Sequence, residues 1–142
     1  MLGDWVNRKI KWIVRHEDEI RAAAAEKRRE QKRRNGKPES RPQGYVSDPT
    51  YREAEQDLTP LRFVEIRAGR VDHPEEWLAA IESVRERLSP DDKRILRLVR
   101  ERKTIEESLA EVPSGKEAFY RRRDRIFAMI ALKASEAGLI RL

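Results

Sequence analysis

The chain contains no cysteine, which removes disulfides, thiolate metal sites and cysteine nucleophiles and permits a reducing cytoplasm. Histidine is limited to His16 and His73. There is no glycine-rich phosphate loop and no acidic cluster with metal-ligand spacing. Asp91-Asp92, the nearest approach to a carboxylate pair, reads as first-turn helix chemistry. No apolar run nears the roughly 20 residues of a membrane span. The N-terminus carries charges where a signal peptide would need an apolar stretch. Aromatics are 6% of the chain and hydrophobics 38%, which suits a modest helical core rather than a large sheet sandwich. These absences argue against an enzyme: no catalytic residue, metal ligand, cofactor or membrane partner is expected.

Charge fills the space left, at 41% of residues with a formal net charge of +6. Residues 1–41 hold 13 Lys/Arg against 7 Asp/Glu, whereas residues 42–142 hold 19 of each. The whole excess therefore sits in the first segment, where it suggests a polyanionic partner. A solvated helix face is the plain alternative.

Taken in order, the pattern predicts a mainly α protein. Residues 3–34 read as one long basic amphipathic helix capped by Asp4, with Leu2, Val6, Ile10, Ile13, Ile20 and Ala24 on one stripe. Trp5 and Trp12 flank that stripe. The apolar half needs a docking surface, which is either its own domain, a second copy in a homodimer, or another protein. The half that follows is a basic arm of Lys27, Arg28, Arg29, Lys32, Arg33 and Arg34, suited to phosphates. Residues 35–46 read as a flexible linker, punctuated by Asn35-Gly36, Pro38 and Pro42. A compact helical domain is expected over 47–142. It starts with a Ser47-capped helix to Leu58 and a small β-hairpin over Leu61–Val71, with a continued helix as the competitor. In that hairpin Leu61, Phe63 and Val71 would share a face. Asp72-His73-Pro74 opens a helix whose core stripe is Trp77, Leu78, Ile81, Val84 and Leu88, and His73 is a turn residue.

The chain is organised around residues 89–137, which read as three helices with two short breaks. Ser89-Pro90 starts the first, which buries Ile95, Leu98 and Val99. Thr104 and Glu107 form a capping box for a short second helix with Ile105 and Leu109 inward. Val112-Pro113-Ser114-Gly115 is the break. Ser114 caps a last helix from Lys116 to Ala137, closed by Gly138. This is the outline of a helix-turn-helix, whose second member lies in the DNA major groove. With Phe119, Ile126 and Ile130 inward, the base-contact candidates are Lys116, Glu117, Tyr120, Arg121 and Arg122. Arginine can fork onto guanine O6 and N7. Thr104, Ser114, Arg123 and Arg125 are candidate phosphate contacts. A Glu117–Arg121 ion pair on a solvated bundle is the alternative use of the same charges.

Residues 46–142 resemble the RinA/ArpU-type phage regulators of late-gene transcription. The carrying segments are SDPTYREA from Ser47 to Ala54, VDHPEEWL from Val71 to Leu78, and LSPDDKRILRL through FYRRRDRIF. Their C-terminal part is similar to the promoter-reading helix-turn-helix of sigma factors. The resemblance implies a transcriptional activator of a phage or prophage, acting on double-stranded DNA with host RNA polymerase in the bacterial cytoplasm. One departure is local. Leu109-Ala110 stands where the pattern has Ile-Ala, and the turn is then a residue short with Pro113 in place of Gly. The choice of base reader among Lys116, Glu117, Tyr120 and Arg121 depends on that one-residue register. Two other classes compete: a phage small terminase subunit, which needs a ring-forming helix, and an adaptor that binds protein and no DNA.

Overall fold

The computed structural model describes residues 3–35 and 60–142, with the side chains of residues 34 and 35 excepted. The linker expected beyond Asn35, the Ser47–Leu58 helix and the Ser47–Ala54 segment of the resemblance lie outside the described residues. So does Leu2. What is described is mainly helical, with one two-stranded antiparallel hairpin. The helices are α1 (Asp4–Arg15), α2 (Glu17–Asn35), α3 (Pro74–Arg85), α4 (Pro90–Arg100), α5 (Ile105–Glu111) and α6 (Lys116–Glu136). The strands are β1 (Phe63–Ile66) and β2 (Gly69–Asp72). Among the described residues no helix is long and apolar enough to cross a membrane.

The described residues fall into two compact units, 3–18 with 76–142, and 19–35 with 60–75. The first is a helical core. α1 packs on α4 and α6, α4 packs on α6, and α5 leans on α6. The apolar stripe of α1 is buried through Val6, Ile10, Ile13 and Val14. Ile95, Leu96 and Leu98 are buried on α4, and Phe119, Ile126, Phe127, Ile130, Ala131 and Ala134 on α6. Val99 is only half-buried, because Leu96 takes the inward place expected of it. Trp77, Ala80, Ile81 and Val84 are buried along one face of α3, followed by Leu88.

The single long N-terminal helix is corrected to two. It breaks at His16, whose backbone leaves the helical region (φ −107°, ψ 12°). The His16 ring turns back, with Nδ1 2.8 Å from the Trp12 carbonyl and its centroid 4.5 Å from that of Trp12. Just after the break, Glu17 is fully buried and held by the Arg85 guanidinium at 2.6 and 2.7 Å, with Arg100 at 3.6 Å. Asp4 is the first helical residue rather than the cap, which is Gly3.

In the second unit, the hairpin pairs Phe63 with Asp72 and Val64 with Val71. Side chains alternate across a strand, so Val64 and Val71 are buried together while Phe63 lies on the opposite face, half-buried. The shared face expected for Phe63 and Val71 is therefore replaced by Val64 with Val71. The hairpin is extended by His73, whose N–H donates to the Arg62 carbonyl at 2.9 Å. His73 sits at φ 52°, which matches its reading as a turn residue before Pro74.

Candidate nucleic-acid interface

Helix α4 begins where Ser89 accepts a hydrogen bond from the Asp92 N–H, with Pro90 at the first position. It ends in a Schellman geometry: the Lys103 N–H donates to the Leu98 carbonyl and the Arg102 N–H to the Val99 carbonyl, both at 3.0 Å. Arg102 takes the left-handed position at φ 59°. Thr104 then opens α5 with the expected capping box, its hydroxyl accepting from the Glu107 N–H at 3.2 Å. The Thr104 N–H and hydroxyl hold the Glu107 carboxyl below the ordinary carboxylate range. That fixed negative charge opposes a phosphate at Thr104, and the Thr104 hydroxyl is already engaged.

The chain breaks between α5 and α6 at Val112–Gly115, with Val112 buried. The cap of α6 is Gly115 and makes no side-chain cap bond, so the expected Ser114 cap is corrected. The Ser114 hydroxyl is instead buried without a hydrogen-bond partner, which removes it as an outward phosphate contact. The first N–H groups of α6 therefore have no side-chain acceptor.

Three consecutive arginines on α6 separate by helical rotation of about 100° per residue. Arg121 is exposed, as are Lys116, Glu117, Asp124 and Arg125. Arg121 and Arg125 lie a turn apart on one face, and among the described residues neither forms an ion pair; the Glu117–Arg121 pair does not form. Arg122 is drawn sideways. Its Nε and Nη2 reach Asp92 Oδ1 at 2.9 and 2.8 Å, fastening α6 to the first turn of α4. That removes Arg122 from the outward face where a base reader is needed. Arg123 is drawn inward, stacked over Tyr120 at 4.8 Å and Phe127 at 5.5 Å. Tyr120 is half-buried with its ring edge-on to Phe119 at 6.1 Å. Of the sequence-level candidates, the structure groups Glu117, Arg121 and Arg125 on one open face together with Asp124, leaves Lys116 exposed at the helix start but about half a turn round from Arg125, and sets Tyr120, Arg122 and Arg123 apart from that face.

The basic arm on α2 is also divided. Lys27 donates to the Phe63 carbonyl at 2.6 Å and stands 3.9 Å from the Phe63 ring centroid. Arg28 forks onto Glu75 at 2.6 and 3.1 Å, and Glu75 also accepts from the Leu61 N–H at 3.0 Å. Arg29 pairs with Glu26 at 2.7 Å on the surface. Lys27 and Arg28 thus hold the hairpin and the start of α3 to α2, and cannot act as a free phosphate arm. Lys32 and Arg33 remain exposed.

Sequence reasoning missed Asp92 as the partner that turns Arg122 aside. It also missed Lys11 and Arg15, which line a groove with Arg102, Lys103 and Arg123. The i,i+4 spacing of Lys11 and Arg15 was a usable signal for a shared cationic face of α1.

No protein-family model, no curated protein and no solved structure matches this chain.

Proposed function

We propose that this chain is a sequence-specific double-stranded-DNA-binding transcriptional regulator that reads its site with α6. The observation that carries the reading is the open face of α6, where Arg121 and Arg125 stand exposed and, among the described residues, without an ion pair, behind a short capped helix and a tight break. A helix presented in this way fits the major groove, where an arginine fork discriminates one base by about 1–3 kcal/mol. Two or three such contacts make a modest binder, so a protein partner at the promoter, host RNA polymerase in the family resembled, belongs to the same reading. So do activation of late phage or prophage genes and a site of action in the bacterial cytoplasm.

The burial of α1 weighs against the terminase alternative. Val6, Ile10, Ile13 and Val14 are buried in the chain's own core. A homodimer or ring built on that stripe would require α1 to undock. Light scattering of the intact chain separates these cases, a ring of many subunits favouring packaging.

The test is selection of bound duplexes from a random pool. The proposal expects a recoverable consensus, with affinity that falls steeply as salt rises. Recovery of no consensus at any salt, or of no bound DNA at all, contradicts it.

A further inference from the structure

We propose that the groove between α1, the end of α4 and α6 is a phosphate-binding site, in which Lys11, Arg15, Arg102, Lys103 and Arg123 receive a phosphoryl or diphosphoryl group. The groove has a volume of about 240 Å³, roughly eight waters at about 30 Å³ each. Its floor is Leu98, Val99 and Phe119, and Tyr120 offers a phenol at the wall. Apart from that phenol every ionisable side chain in the lining is a cation; Thr104, which bonds the Glu107 carboxylate, lines the opposite edge, so the phosphoryl group belongs at the Lys11, Arg15 and Arg123 end.

Arg123 Nη2 reaches Asp124 Oδ1 at 3.2 Å, Lys103 Nζ stands 3.8 Å from Glu107 and Arg102 donates to the Arg15 carbonyl at 3.4 Å, but among the described residues Lys11, Arg15 and the Arg123 Nε face no carboxylate, unlike the arginines that serve stability in the same unit. Arg85 faces Glu17, Arg122 faces Asp92, and Arg97 faces Glu101 and Glu111, each across a direct hydrogen bond. In the groove, cations from three separate stretches of chain converge on one another. Burial, then the neighbouring charges of Arg15 and Arg123, hold the Lys11 ammonium below the ordinary lysine range. The Arg123 Nε is buried with no hydrogen-bond partner. Arg102 occupies a left-handed position that glycine fills with less strain, as Gly138 does in the equivalent cap of α6 at φ 77°. Mutual repulsion, an unused donor and a strained arginine coincide in one groove. A phosphate group answers the repulsion and the unused donor, since its oxygens accept forked guanidinium bonds and its charge relieves the crowding, and it gives the Arg102 side chain a use that glycine would lack.

Two sources supply this chemistry: a backbone phosphate of duplex DNA, which rests on the function proposed above, or a free phosphorylated small molecule, which does not. The test is calorimetric titration of the full chain with inorganic pyrophosphate at matched ionic strength, repeated in the presence of a short mixed-sequence duplex. The expected result is saturable one-site binding, weakened at least about tenfold by Lys11→Met and by Arg123→Gln and retained in Arg121→Gln. Arg15→Gln, at an exposed position, gives the same readout if either of the first two variants fails to fold. Competition between duplex and pyrophosphate assigns the site to the DNA backbone. Independent binding, or pyrophosphate binding by a chain that ignores DNA, assigns it to a free phosphorylated ligand and leaves the site standing. Absence of saturable pyrophosphate binding, or undiminished affinity in the folded groove variants, overturns the proposal.

Discussion

At the scale of single residues, an arginine's role here is decided by what it faces. Arg121, Arg122 and Arg123 are indistinguishable in a sequence, yet one points to solvent, one is bound by Asp92 and one lies over two aromatic rings. Helical rotation separates the first from the others and is legible in the sequence. The Asp92 contact is not, because it joins residues 30 positions apart. The same limit hid Glu17, which looks like one more surface carboxylate but has no exposed surface. Burial opposes the charge of Arg85, yet its bonds to Glu17 and Glu82 outweigh that and push its pKa up. Removing one partner of a buried pair leaves an uncompensated charge, so Glu17→Ala should lower stability by about 3 kcal/mol in urea unfolding. A loss near zero would mean water reaches Arg85 freely. Arg102→Gly should act in the opposite direction. Relief of the left-handed strain should raise stability by roughly 0.5–1 kcal/mol while weakening pyrophosphate binding. Lowered stability would show that the Arg102 side chain matters more to the fold than its backbone strain.

At the scale of elements, the termini were the most legible feature. Ser89-Pro90, the Thr104–Glu107 box, the Val112–Gly115 break and Gly138 all rest on local chemistry and all appear in place. The break at His16 was not legible, because neither proline nor glycine marks it and the apolar stripe resumes in phase from Ile13 to Ile20. What distinguishes it is a histidine ring folded on Trp12 and a buried carboxylate, both consequences of packing. The hairpin was legible as an element but not in its facing, since Phe63 looks like the natural core residue and is instead covered by Lys27 and Arg70.

The Arg28–Glu75 fork gives that unit a defined acid response. The hydrogen bond from Arg28, helped by the Leu61 N–H and opposed by burial, holds the Glu75 carboxyl below its ordinary range. A carboxylate depressed in the folded state contributes stability that is fully present above its unfolded value of about 4.3 and is lost as pH falls through the lowered folded value. Amide protection of β1 and β2 should therefore decline below about pH 4, and Glu75→Gln should flatten that decline while lowering protection at neutral pH. An unchanged acid profile in Glu75→Gln would move the effect to another carboxylate.

At the scale of the whole molecule, composition and charge were sufficient for a mainly helical protein with a basic N-terminal segment. They could not show that α1 belongs to the same core as α4 and α6, because an amphipathic stripe specifies that it must be covered and not by what. The four buried side chains of α1 correspond to roughly 6–12 kcal/mol at about 1.5–3 kcal/mol each, comparable with the whole stability of a typical domain. A chain lacking residues 1–15 should therefore lose cooperative thermal unfolding. A retained sharp transition would mean that α4, α5 and α6 form a core without it.

The proposed function requires the outward face of α6 to read bases while Arg122 serves the fold. The direct measurement is the dissociation constant of the selected duplex for the unaltered chain, Arg121→Ala and Arg122→Ala, each scaled to its folded fraction. Loss of about 1–3 kcal/mol of binding, about 5- to 150-fold, in Arg121→Ala with relaxed preference at one base pair is predicted, alongside near-unchanged affinity in Arg122→Ala. Equal losses in the two variants, or a larger loss in Arg122→Ala, would contradict it.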